Sequence, residues 1–173
     1  FYSFQIYKDK QIERISDNFN SAVIEFKNGD KSKSTSSMKE VVKDKDSTYS
    51  PLALYFLIDN NLIENQTVIN ELFDILIDET SLEKEIRHLI IYKKALYNAD
   101  FVDEIQILEM LKPVLNSESV WKSHALYLIA EFFYSKKEMQ KSKEFFEKII
   151  STENANQDIF IEAQKRLNRD LGE

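Results

Sequence analysis

The chain contains no cysteine, and its 173 residues include only two glycines and two prolines. Without cysteine there is no disulfide, no thiolate metal site and no cysteine nucleophile. That absence fits the cytoplasm and fits equally a periplasmic protein built without bridges. So little glycine and proline excludes a β-rich fold of this size, which needs many turn residues with unusual backbone angles. Helix connections can instead be made from Asn, Asp and Ser, so the class is all-α. Gly29 and Gly172 are the only glycines, which leaves no Gly-rich loop to cradle a phosphate. Basic residues are in the minority, 23 against 30 acidic, for a net charge of −7. Nucleic acid is therefore excluded as the expected partner, because neutralising phosphates needs a surplus of Lys and Arg. Apolar runs are short, and none could span a bilayer.

What the chain does have is hydrophobic content, 43 %, with 12 % aromatic residues. That rules out general disorder. A chain of this length is enough for one domain, residues 1–173, burying roughly 70 % of its unfolded surface. It also has repetition. Glu109-Met110-Leu111-Lys112-Pro113-Val114-Leu115-Asn116-Ser117-Glu118 has the same pattern as Glu144-Phe145-Phe146-Glu147-Lys148-Ile149-Ile150-Ser151-Thr152-Glu153, 35 residues later. A looser copy, Glu71-Leu72-Phe73-Asp74-Ile75-Leu76-Ile77-Asp78-Glu79, lies 38 residues before the first. Ala53-Leu54-Tyr55, Ile90-Ile91-Tyr92 and Ala125-Leu126-Tyr127 recur at steps of 37 and 35. Periods of this size mark helical-hairpin arrays of the tetratricopeptide type, with about 34 residues per repeat.

The pattern predicts nine helices, as four antiparallel pairs and one extra. The first runs from about Phe4 to Lys27 on a stripe of Ile12, Ile15, Phe19, Ala22, Val23 and Phe26, and Gly29 stops it in a left-handed cap. Residues 31–37 read either as a loop or as the solvent-facing start of a short helix ending near Lys45. Ser47 and Thr48 supply hydroxyl caps ahead of Pro51, which is tolerated in a first turn. That helix ends at Asp59. Asn65 caps the next, which runs to about Ile77. Further helices run from Ser81 to Asn98, from Asp103 through Leu111, from Ser119-Val120-Trp121 through Phe133, and from Met139 to Ile150. The last runs from Asp158 to about Leu171 as a polar capping element. Pro113 should kink or loosen the last turn of the helix that starts at Asp103. In the clearest hairpin, Leu126, Ile129, Ala130, Phe133, Ser142, Phe146 and Ile149 follow the tetratricopeptide order of large, small and aromatic positions. Lys137 stands there where glycine is usual, and Asn154 where proline is usual.

The search for chemistry yields little. His88 and His124 belong to no metal-binding spacing and read as structural histidines. Ser32, Ser34, Ser36 and Ser37 have no base nearby and form no nucleophile elbow. Lys136, Lys137, Lys141 and Lys143 alternate with Glu138 and Glu144 as a solvated face rather than a phosphate site. Glu109, Glu118, Glu144 and Glu153 should be solvated or cap helix ends. Tyr55, Tyr92, Tyr127, Trp121 and Phe146 read as core or inter-repeat packing, though a tyrosine hydroxyl can reach a binding face. Catalytic, cofactor-binding and metal residues are read as none, and the residues of a peptide-binding face as unknown.

The order of signals resembles a family. The signals are an aromatic start, Phe1-Tyr2-Ser3-Phe4; Asp17-x-Phe19-x-x-Ala22; Tyr49-x-Pro51-Leu52-Ala53; Trp121-Lys122-Ser123-His124-Ala125; Lys141-Ser142-Lys143-x-Phe145-Phe146; and Ala163-Gln164-Lys165-Arg166-Leu167. Together they resemble the tetratricopeptide-like domain of the ancillary SecYEG translocon subunit family, over nearly the whole chain. The resemblance implies a right-handed solenoid of about four hairpins with a C-terminal capping helix. It implies a membrane-spanning helix upstream of Phe1, with this domain on the periplasmic side of a bacterial inner membrane. The implied role is non-enzymatic, with translocon subunits, periplasmic chaperones or exported clients as partners, and no cofactor. On residues alone, the aromatic start reads equally as the interfacial end of a membrane helix or as an ordinary amphipathic first helix. Two other readings stand beside this one. One is a scaffold that self-associates as a homo-oligomer or serves as a general tetratricopeptide adaptor in the cell envelope. The other, least favoured, is an enzyme.

Overall fold

Several helices among the described residues are bounded by a side chain or a backbone turn whose role can be named. The computed structural model describes the backbone of residues 2–172 and the side chains of residues 6–172. The side chains of the aromatic start, Phe1 to Phe4, lie outside the described residues. Among the described residues the protein is all-α, with nine α-helices, one π-helical turn and no strand. No helix among them is long and apolar enough to cross a membrane. The chain forms two compact units, one ending at Glu83 and one starting at Lys84.

The first unit opens with α1 (Tyr2–Lys27) and α2 (Lys31–Lys43). Gly29 at φ 90° closes α1 as expected. Its N–H bonds the Phe26 carbonyl at 3.0 Å and the Asp30 N–H bonds that of Glu25 at 2.9 Å, the paired bonds of a Schellman turn. The Asp30 carboxylate then accepts from the Lys33 N–H and starts α2. The serine-rich stretch is thus helix from Lys31 onward, and one of its serines is not solvent-facing. Ser34 is fully buried, and its hydroxyl donates to the Ala22 carbonyl at 2.8 Å. Met38, Val41 and Val42 complete the buried face of α2.

Helix α3 (Tyr49–Asp59) starts differently from the expectation. Thr48 makes no side-chain cap; the Asp46 carboxylate instead accepts from the N–H groups of Thr48 (2.9 Å) and Tyr49 (2.7 Å). A carboxylate is the stronger acceptor and suits the positive end of the helix. The Ser50 hydroxyl accepts from the Asp46 N–H and donates to the Val41 carbonyl, which ties the start of α3 to α2. Asn65 caps α4 (Gln66–Asp74) as expected, accepting from Thr67 and Val68 N–H. The helix does not continue as α to Ile77: Ile75–Glu79 is a π-helical turn, with Leu76 buried beneath it. In this unit α2 packs against α1, α3, α4 and the π turn.

The second unit holds α5 (Lys84–Asn98), α6 (Glu104–Leu115), α7 (Lys122–Ser135), α8 (Met139–Ile150) and α9 (Gln157–Asp170). Asp103 and Gln106 form a reciprocal capping box at the start of α6. Pro113 sits in the last turn of α6, where it removes the N–H that would have bonded the Glu109 carbonyl, and the helix still runs on to Leu115. Between α7 and α8, Lys137 takes a left-handed conformation at φ 63°. Its N–H bonds the Tyr134 carbonyl and that of Glu138 bonds Phe133, the same turn that Gly29 makes. Asn154, at φ 58°, is also left-handed. Proline, fixed near −65°, could not adopt that geometry, which accounts for its absence there. Leu126, Ala130, Phe146, Ile149 and Ala163 form a buried cluster joining α7, α8 and α9.

A packing rule underlies the sequence repeat. Ala22 and Ser34, Leu57 and Ile69, Ala95 and Ile107, Ala130 and Ser142 are four pairs, each twelve residues apart. Every member is 0–1 % exposed. Two of the pairs are closed by a hydroxyl: Ser142 donates to the Ala130 carbonyl at 2.9 Å as Ser34 does to Ala22. Small residues at these two contacts bring the helix backbones close enough for that bond.

Candidate interaction surface

The repeated aromatics divide by depth. Phe146 is fully buried and meets Tyr127 edge-on, at 5.5 Å between ring centroids. Tyr55, Tyr92, Tyr127 and Trp121 are half-buried. Burial pushes the Tyr55 hydroxyl up to about 12 and raises those of Tyr92 and Tyr127, the last aided by Glu131. These hydroxyls stay protonated and can donate at any physiological pH.

Tyr92 stacks on Trp121, with ring centroids 6.2 Å apart, and both rings pack against His124. Below them Glu85 of α5 reaches the start of α7. Its carboxylate accepts from the Ser119 hydroxyl at 2.8 Å and the Val120 N–H at 3.1 Å. The Ser119 bond is the main reason that this carboxyl lies below its usual range. His88, one turn along α5, is buried, with Nδ1 4.0 Å from Glu85. Burial lowers the pKa of His88 and of His124. Neither Nδ1 has a hydrogen-bond partner among the described residues. Burial thus favours the neutral form of both rings, opposed at His124 by a backbone hydrogen bond to Val120. Beside this cluster lies a polar cleft of about 430 Å³, lined by Glu118, Ser119, Val120, Lys122 and Ser123 and by the turn at 151–155.

Helix α9 is tied down by Arg166, a residue of the Ala-x-x-Arg-Leu ending. Its guanidinium bonds both carboxylate oxygens of Glu131, at 2.7 and 3.0 Å, bonds Asp170, and lies over the Tyr134 ring at 4.1 Å. Burial opposes the charge, but the Glu131 and Asp170 bonds outweigh it and raise the pKa of Arg166. Asp170, bonded by Arg169 and Arg166, is held down to about 2. A planar fork meeting a carboxylate in this way fixes orientation as well as distance.

The remaining readings resolve simply. Glu109, Glu118, Glu144 and Glu153 are all exposed. Lys141 bridges Glu104 and Glu138, each at 2.7 Å, so this lysine belongs to an ion network rather than to a free basic face. No group of three or more His, Asp or Glu side chains among the described residues could hold a metal ion. The Glu85 connection to Ser119 and Val120 escaped the sequence reading. Compared with protein-family models, with characterised proteins and with solved structures, the chain matches none.

Proposed function

We propose that this chain is a protein-interaction module of the tetratricopeptide-like type that performs no catalysis of its own. The observation that supports this reading most is the twelve-residue buried pair repeated through four hairpins. Hairpin arrays built on one packing rule present long helix faces, and such faces hold peptide segments. The half-buried tyrosines, with hydroxyls that stay protonated, suit such a face. Following the resemblance in the residues quoted above, the proposed setting is the periplasmic side of a bacterial inner membrane. There the module would serve an ancillary translocon subunit, tethered by an upstream helix and assisting exported proteins. Crosslinking in native membranes followed by mass spectrometry tests this. Adducts with export-channel subunits, periplasmic chaperones or exported clients are expected, and adducts confined to cytoplasmic proteins would sink the proposal.

A further inference from the structure

Within the second unit, the α5–α6 turn and the α7–α8 turn line one cleft of about 510 Å³. The α5–α6 turn is more apolar than the α1–α2 and α7–α8 turns. The α1–α2 turn carries Asn28 and Gly29, and the α7–α8 turn carries Lys136 and Lys137, as solvent-facing turns should. The α5–α6 turn carries Phe101, 66 % exposed, and Ile105 follows in α6 at 73 %. Asp103 already starts α6 through its capping box, so folding this turn does not need a large apolar residue at 101. Asp100, Asp103, Glu104 and Glu138 surround the cleft, while Phe132 lines it at only 5 % exposure.

The chain's own lysines already occupy part of this surface. Lys136 places its ammonium 5.3 Å from the centre of the Phe132 ring. Lys141 sits over Phe133 at 5.1 Å while bridging Glu104 and Glu138. Aromatic faces beside carboxylates hold cations by ring quadrupole and charge together. We propose that this cleft docks a partner segment in which a large apolar side chain is flanked by Lys or Arg. The apolar side chain packs on the exposed Phe101, and the cations meet Asp100 and the carboxylates around the cleft. This rests on the interaction reading above and assigns one of its contact sites.

The test uses a synthetic twelve-residue peptide of alternating Leu and Lys, titrated into the whole chain and followed by amide NMR and fluorescence anisotropy. A second peptide has Glu in place of every Lys. Binding of the first is expected, with shifts centred on residues 100–106 and 132–138, at least tenfold tighter than the second and weakening with salt. Phe101→Ser and Asp100→Lys alter exposed side chains and should leave the melting temperature unchanged, while each weakens binding at least fivefold. Equal affinity for both peptides, unchanged affinity in both variants, or a dimer of this chain that buries Phe101 would overturn the proposal. If the variants lose the peptide yet keep their native-membrane crosslinks, the cleft binds as proposed but is not what recruits those partners. If the crosslinks fail in the unaltered chain, the broader functional reading falls instead.

Discussion

The α1–α2 and α7–α8 hairpins solve one problem with different residues. Both place a small residue on the first helix against a serine twelve positions on, and both close the contact with the same hydroxyl-to-carbonyl bond. In both, a left-handed residue follows seven positions after the alanine. In one that residue is Gly29, which adopts the geometry freely; in the other it is Lys137, which carries a Cβ into a region that L-residues avoid. The comparison separates two requirements. Small size at the helix contact is fixed by space, so it is kept. Turn geometry is fixed by the bonds around it, and those bonds can hold an unfavourable residue in place.

Overpacking the contact should have the largest effect. Ala22→Leu or Ala130→Leu forces the helices apart, breaks the serine bond and costs about 2–4 kcal/mol by the usual penalties for strain and a lost bond. Denaturant unfolding read by hydrogen exchange should show each loss in the unit that carries the change. An unaltered exchange pattern would mean that the twelve-residue pair does not hold the hairpin.

Swapping the turn residues should act in opposite directions in the two hairpins. Lys137→Gly should stabilise by about 0.5–1 kcal/mol and Gly29→Ala should destabilise by about 1 kcal/mol, since the left-handed region disfavours any Cβ. A Cβ at Gly29 meets nothing within 4 Å, so its cost is purely conformational. Thermal melts of both variants check the signs, and matching signs would remove the distinction drawn between the two turns.

Acidification should separate the units by a smaller margin. His88 and His124 have pKa values lowered below 6.5 by burial. Their unfolded forms therefore bind protons first, and stability is lost as pH falls from about 6.5 toward the lowered folded values. The lowered carboxylates, Glu85 and Asp170, lose their contribution only at lower pH. Both histidines lie in the second unit, so between pH 7 and 5 its amides should lose more protection than those of the first. Replacing both histidines with Gln should flatten the difference.

Local signals were legible in the sequence and long-range ones were not. Gly29, Asn65 and Asp103 announce their caps because each acts on residues two to four positions away. The exposed glutamates follow from helix periodicity alone. Ser34 was lost in a polar run because its partner, Ala22, lies twelve residues back across a turn. The Ala130–Ser142 pair, already visible in the tetratricopeptide order, carried the spacing that would have found it. The Asp46 cap went unseen because hydroxyl residues stood closer to the helix start. The π turn at Ile75–Glu79 leaves no mark on apolar spacing that a short helix would not also leave. No residue pattern linked Glu85 to Ser119, 34 positions apart, because the contact depends on how α5 and α7 pack.

That last contact bears on how such a chain can change. Glu85 holds the Ser119 hydroxyl and the Val120 N–H just ahead of α7, and Lys84 bonds the Glu118 carbonyl beside them. Hairpin arrays are easily imagined as cassettes, to be duplicated, deleted or shuffled one at a time. Here the α5–α6 hairpin also supplies a contact to the segment that leads into α7. A change that removes α5 would therefore also remove the acceptor that holds Ser119 and Val120 ahead of α7.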